Sequence, residues 1–191
     1  MPWSFALPHA IFESPLLSTL TPIATGSTIG YLVNRRGTKP TYRSLRQPPF
    51  SPPAWLFAPA WTLLYGLMGY AVHHATASTS SLTSLSDSGI GFTGLGRDLT
   101  RTQTLYTVQL ALNHLWMPLF FGLGKPGLAA VDILLLGGTV GALMKEFWES
   151  DRLAFWFFVP YAGWLGFATY LNFGVGFLNG WRVKKDDRKG E

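Results

Sequence analysis

The chain has 191 residues, eight of them tryptophan and none cysteine. Among the tryptophans inside uncharged sequence are Trp55, Trp61, Trp116 and Trp164. An indole offers a broad apolar face for stacking and one N–H for orientation. Trp61 follows Pro59, Trp116 lies two before Pro118 and Trp164 lies four after Pro160. Helices interrupted by proline can bend toward one cavity, and a pocket walled by indoles suits a large planar apolar ligand. The same rings would equally well fill the interior of a helix bundle, and both readings stand open on residue types alone. Trp3, Trp148 and Trp181 instead suit a lipid interface, where one edge of the ring stays wet.

Ionisable chemistry is sparse. Asp132 is the one acid inside an apolar stretch, where a charge costs roughly 3 kcal/mol on insertion scales. It stands about one turn from the Lys125–Gly127 turn, so a shallow structural role is expected rather than a proton relay. Asn113 needs a partner on another helix or on a ligand, with structural bonding as the default. His114 adjoins it, and His73 and His74 close an apolar segment. No histidine has a carboxylate at metal-ligand spacing, so no metal site is expected. Without cysteine, thiolate ligands, disulfides and cysteine nucleophiles are excluded. There is no Ser/His/Asp arrangement, glycine-rich phosphate loop or pair of intramembrane carboxylates. No catalytic residue and no cofactor are expected.

The elements that must position these residues are five stretches almost free of charge: 14–34, 54–72, 102–124, 127–144 (broken by Asp132) and 153–181. A hydrocarbon core about 30 Å thick is crossed by roughly 20 apolar residues of helix. Hydrophobic residues make up 48% of the chain and charged residues 13%, against about 25% charged in soluble domains. The expected fold is an all-α membrane protein, a single five-transmembrane-helix bundle over 1–191. Its helices fall at about 15–33, 54–73, 102–123, 128–144 and 153–178. The N-terminal sequence lacks a basic region and a small-residue cleavage site, so the first apolar segment is expected to remain a helix.

The net charge of +5 is distributed in a way that argues against nucleic acid. If the spans alternate, one face receives Arg35, Arg36, Lys39, Arg43, Arg46, Lys125, Arg182, Lys184, Lys185, Arg188 and Lys189. The other receives only Arg97, Arg101, Lys145 and Arg152. The positive-inside rule then puts the N-terminus on the exoplasmic side and the C-terminus in the cytosol. The basic tail 182–191 reads as a solvated, topogenic end. Between the first two spans, 34–53 carries Pro40, Pro48, Pro49, Pro52 and Pro53, which cannot sustain a helix; the segment is expected to fold over the cytosolic mouth as a lid. The Ser/Thr/Gly-rich segment 75–100 has no apolar periodicity and reads as a flexible exoplasmic loop. Pro118 should kink the third helix. Gly26 with Gly30, and Gly137 with Gly141, have the spacing of close helix contacts. No internal repeat of the transporter kind is present.

Residues 39–70, KPTYRSLRQPPFSPPAWLFAPAWTLLYGLMGY, resemble the first-loop and second-helix signature of the translocator protein family (TspO/MBR, the peripheral-type benzodiazepine receptor family). The resemblance continues in YTVQLALNHLWMPLFFG (106–122), AAVDILLL (129–136) and VPYAGWLGFATYLNF (159–173). It implies a five-helix bundle, often a homodimer, with a ligand cavity closed on the cytosolic side by the first loop. Members bind porphyrins such as protoporphyrin IX, and animal members bind cholesterol and synthetic ligands. By motif, Trp61 and Trp164 match cavity tryptophans linked to porphyrin handling. Asn113, Trp116 and Ala168 match cavity-lining positions, and Tyr42 a lid residue. The resemblance shifts the tryptophans toward a ligand site, and Trp55 is grouped with them. The animal sterol motif at the end of the fifth helix is degenerate here, with Phe173 and Phe177 where Tyr and a basic residue would stand.

The function this implies is binding of tetrapyrroles or other planar lipophilic molecules, sterols among them, with sequestration or translocation across the membrane. The alternatives are light- or oxygen-dependent porphyrin breakdown, and a scaffold or stress regulator working through its loop and tail. The resemblance points to the mitochondrial outer membrane, with endoplasmic reticulum and bacterial membranes as the family's other locations. Expected partners are a porphyrin, the bilayer and a second copy of the chain.

Overall fold

The computed structural model describes residues 5–35, 38–87 and 95–182, and among them every regular element is helical. In chain order these are α1 (His9–Glu13), α2 (Pro15–Asn34), α3 (Thr38–Ser44), α4 (Phe57–Asp87), α5 (Leu95–Met117), α6 (Pro126–Ser150) and α7 (Arg152–Leu178). A 3₁₀ turn at Ala54–Leu56 leads into α4, and a π turn at Pro118–Gly122 ends α5. Seven helices therefore stand where five were expected. The two extra ones, α1 and α3, have only 5 and 7 residues. Trp3, residues 88–94 of the Ser/Thr-rich segment and 183–191 of the basic tail lie outside the described residues.

The long helices close a ring in the order α2, α4, α7, α6, α5, with α5 also packing on α4. Met68, Val72, Tyr106, Leu136, Leu143, Phe158 and Tyr161 fill its centre. The outward faces are apolar too: Leu20, Leu63, Val131, Leu134, Leu135, Trp156 and Phe177 are exposed. Polar Gln103, Gln109, Asn113 and Asn172 are buried instead. A molecule that shows leucine outward and hides amides inward is built for hydrocarbon surroundings. Three segments, Pro15–Asn34, Ala54–Ser81 and Pro126–Ser150, are long and apolar enough to cross a membrane by length and composition.

Several boundaries differ from those read in the sequence, each for a physical reason. Helix α4 does not stop near 73 but continues to Asp87, so much of the expected flexible loop is helical. Thr79 and Ser81 return hydrogen bonds to the carbonyls of Ala75 and Ala77, and Thr76 is buried; hydroxyls bonded within the helix lose their turn-forming preference. Helix α5 starts at Leu95 and α6 reaches Ser150, because charge marks where lipid ends and not where hydrogen bonding ends. In the proline-rich lid, α3 forms over Thr38–Ser44. Pro40 sits in its first turn, where a missing N–H leaves no bond unmade. Pro118 opens a wider turn in which Leu123 N–H donates to the Pro118 carbonyl at 2.8 Å, the five-residue spacing of a π turn.

The glycine spacings held at one position of four. A Cβ on Gly30, Gly137 or Gly141 would meet nothing within 4 Å, whereas one on Gly26 would lie 2.6 Å from Tyr65 Cζ. Helices α2 and α4 also meet backbone to backbone at Gly69, where a Cβ would strike the Ser18 carbonyl and come within 2.6 Å of Thr19 Cα. Helix α1 had no sequence signal. It plugs one end of the ring: Phe12 is 0% exposed, lies edge-on to Tyr106 at 5.9 Å, and has its carbonyl at 2.9 Å from His73 Nδ1.

Candidate functional site

The site is assembled from α4 and α7, with α5 behind them and the lid beyond. On α4, Phe57, Trp61 and Tyr65 recur every four residues, the spacing that lines one face of a helix. Trp61 packs on Tyr65 at 5.2 Å between centroids. Across the bundle it meets Trp164 of α7 at 6.4 Å and 81° and Tyr161 at 6.4 Å. Phe57 meets Trp164 at 6.0 Å and Tyr42 of α3 at 5.7 Å. Along α7 the series runs on from Trp164 to Phe167 at 5.9 Å and from Phe167 to Tyr170 at 6.3 Å. Two of these rings, Trp164 and Phe167, line an open apolar cleft of about 390 Å³, together with Ala60, Leu63 and Leu64 of α4 and Pro160 and Gly163 of α7. That volume falls within the ~300–1,000 Å³ of small-molecule sites.

Behind the rings a directed chain of hydrogen bonds joins three helices. The Tyr65 hydroxyl donates to Asn113 Oδ1 at 2.8 Å, and Asn113 Nδ2 donates to the Tyr161 hydroxyl at 3.1 Å. Tyr161 in turn donates to Gln109 Oε1 at 3.1 Å. Away from water such bonds contribute roughly 0.6–2 kcal/mol each, and here they also fix the two tyrosine rings that support Trp61. The indole N–H of Trp164 and Gln109 Nε2 are buried without a hydrogen-bond partner among the described residues. So are both carboxyl oxygens of Asp132, which is 4% exposed.

The lid is tied to α7. Tyr170 donates its hydroxyl to the Pro49 carbonyl at 3.0 Å, and Pro48 seats on Gly174, where a Cβ would come within 2.7 Å of the proline ring. Arg46 and Asn179 exchange two bonds, from Arg46 N–H to Asn179 Oδ1 at 3.0 Å and from Asn179 Nδ2 to the Arg46 carbonyl at 2.9 Å. Within the lid, the Tyr42 hydroxyl donates to the Pro52 carbonyl at 2.8 Å, and burial raises the phenol's pKa above its ordinary value. Leu45 completes a second apolar cluster with Phe120, Ala129 and Val175.

Of the residues singled out in the sequence, Tyr42, Trp61 and Trp164 are brought together through Phe57, and Asn113 reaches them through Tyr65 and Tyr161. Ala168 packs against the same core, one turn beyond Trp164. Trp116 bridges the core and the second cluster. Its indole N–H donates to Asn172 Oδ1 at 2.9 Å, and Asn172 Nδ2 donates to the Pro126 carbonyl at 3.2 Å. Trp55 stands apart, 71% exposed in the 3₁₀ turn before α4. Trp181, expected at an interface, lays its ring on Gly176. Sequence reasoning missed Tyr65, Tyr161, Gln109 and Asn172. The four-residue interval between Gln109 and Asn113 was the available signal, since two amides one turn apart inside apolar sequence mark a buried face.

An apolar-skinned bundle of long helices, three of them long and apolar enough to cross a bilayer, is the architecture of an integral membrane protein. Comparison with known proteins agrees. The model of the TspO/MBR family matches residues 18–178, and the chain belongs to that family. It is 43% identical over 163 residues to the translocator protein homolog of Schizosaccharomyces pombe, covering 85% of this chain and 90% of that one. The translocator protein of Bos taurus is 36% identical over 155 residues, 81% of this chain and 83% of its own. The tryptophan-rich protein TspO of Archaeoglobus fulgidus is 33% identical over 162 residues, 85% of this chain and 94% of its own.

Proposed function

We propose that this chain crosses the bilayer five times and binds planar tetrapyrroles, protoporphyrin IX and related haem precursors, in the cleft between α4 and α7. The observation that carries this reading is the unbroken aromatic series Tyr42–Phe57–Trp164–Trp61–Tyr65, which runs from the lid into the bundle beside an apolar cleft. A macrocycle is large, flat and apolar, and stacking on an indole face is worth about 1 kcal/mol beyond area burial. Trp61 and Trp164 meet edge to face, so a macrocycle that stacks on Trp164 replaces that contact. The unpartnered Trp164 N–H adds one donor, which suits a carboxylate on the ligand's rim.

In this reading the N-terminus is exoplasmic and the C-terminus cytosolic, as the charge asymmetry favours, and the lid covers the cytosolic mouth. The protein sequesters or moves its ligand, for which the cleft offers stacking groups. Membership of a family that includes translocator proteins supports the assignment. Residence in the mitochondrial outer membrane and a homodimeric state belong to the same proposal. Protoporphyrin IX titration of purified protein, followed by quenching of tryptophan fluorescence, tests it. The affinity should fall at least tenfold in a Trp61→Phe/Trp164→Phe double variant. Equal affinity in wild type and double variant rejects the site.

A further inference from the structure

A second cleft lies elsewhere on the molecule, at the end of α2. It has a volume of about 520 Å³ and is lined by Ile29, Leu32, Val33 and Arg35 of α2 and Pro118 of the π turn. Its origin is local. The π turn that begins at Pro118 ends α5 beside α2. Leu32 and neighbouring Tyr31 are exposed. Arg35 caps α2 with its guanidinium 5.8 Å from the Tyr31 ring, and it has no carboxylate partner among the described residues. Every other lining side chain is apolar.

We propose that this groove is a binding site for one anionic phospholipid, with an acyl chain along Ile29, Leu32, Val33 and Pro118 and its headgroup phosphate on Arg35. A lipid-facing groove with apolar walls is filled by hydrocarbon, because water entering it finds no polar partner. The unpaired cation at its mouth selects headgroup charge, and Arg matches phosphate geometry with two parallel N–H groups. Basic pockets between membrane helices bind acidic lipid headgroups by this combination. The proposal rests on the membrane-spanning reading but not on the tetrapyrrole site.

Native mass spectrometry of the detergent-extracted full chain, with phosphatidylserine and phosphatidylcholine competing at equal concentration, tests it. Wild type should retain one lipid and prefer phosphatidylserine about fivefold, which is what ~1 kcal/mol per basic residue gives. Arg35→Gln should abolish that preference while both lipids still bind. Ile29→Trp, which fills the groove, should reduce retention of both. Arg43→Gln, an exposed cation outside the groove, should leave the preference intact. Three results would overturn the proposal: a preference that survives Arg35→Gln, one that falls equally in Arg43→Gln, or lipid retention unchanged in Ile29→Trp. Protoporphyrin affinity should remain at the wild-type level in Arg35→Gln, so failure of the lipid site and failure of the tetrapyrrole site give different results.

Discussion

Replacing Gly69 with alanine tests a close backbone contact between α2 and α4. The added Cβ would strike the Ser18 carbonyl and lie 2.6 Å from Thr19 Cα and 2.7 Å from the Ser18 carbonyl carbon. Relaxed carbon–carbon contact is about 3.5–4.0 Å, so α2 and α4 must part by about 1 Å. The obstacle is backbone, which cannot rotate away as a side chain could. Overpacking of this kind costs about 1–3 kcal/mol. Gly66, three residues earlier on the same helix, has nothing within 4 Å of its would-be Cβ. Alanine there only improves helix propensity, by up to ~1 kcal/mol. Thermal unfolding of the two variants in one detergent should therefore place Gly69→Ala below wild type and Gly66→Ala at or above it. At about 2–4 °C per kcal/mol for a chain of this size, the gap between them is several degrees. Because α4 carries Trp61 and Tyr65, Gly69→Ala should also weaken protoporphyrin binding. If Gly69→Ala melts with or above Gly66→Ala, the α2–α4 packing is wrong.

Asn113→Leu leaves the Tyr65 hydroxyl without its acceptor and Tyr161 without its donor; it should destabilise the protein by about 1–3 kcal/mol, read as a lowered melting temperature. Asp151 caps α7 by accepting from the N–H groups of Leu153 and Ala154, each at 3.0 Å, and its second oxygen lies 2.6 Å from His74 Nδ1. Removing such a cap costs about 1 kcal/mol, so Asp151→Ala should melt lower at neutral pH. Burial raises the pKa of this carboxyl, but the bonds from Ala154, His74 and Ser78 outweigh that and hold it below its ordinary 3.8. A lowered folded-state pKa means that the stabilisation is complete above 3.8 and is lost as pH falls through the folded value. The wild-type advantage over Asp151→Ala should thus shrink only at acid pH, and an advantage that instead grows on acidification rejects the assignment. Asn179→Ala removes both lid bonds to Arg46 and should raise proteolytic cleavage within 45–53 severalfold, with little change in melting temperature.

What the sequence disclosed, and what it hid, follows from the kind of signal each feature leaves. Absence of charge located the long helices because burying charge in hydrocarbon is costly everywhere along a span. It could not locate their ends, since Thr79 and Ser81 satisfy themselves within the helix and α4 continues to Asp87. Glycine spacing fell mostly short for a similar reason. A four-residue interval places two glycines on one face but says nothing of what that face meets; of the four expected only Gly26 is in close contact, and Gly69 and Gly174 carried no such signal. The aromatic series was half legible. Trp61 and Trp164 stood out by type and motif, whereas nothing in their type or spacing marked Phe57 and Tyr161 until three-dimensional proximity joined them. Helix α1 was beyond reach, because five residues are too few to carry periodicity and Phe12 is buried by contacts distant in sequence, with Tyr106 and His73. The lid's attachment to α7 was equally invisible, since the Arg46–Asn179 pair spans 133 residues.

The central claim is that the cleft beside Trp164 holds the macrocycle, and an experimental structure of the full-length protein with protoporphyrin IX bound tests it most directly. The account predicts ligand density against Trp164 and between α4 and α7, beneath the 45–53 segment, with the edge contact between Trp61 and Trp164 opened. Density on the outer face of α2 or α6, with the two indoles still 6.4 Å apart, would contradict it.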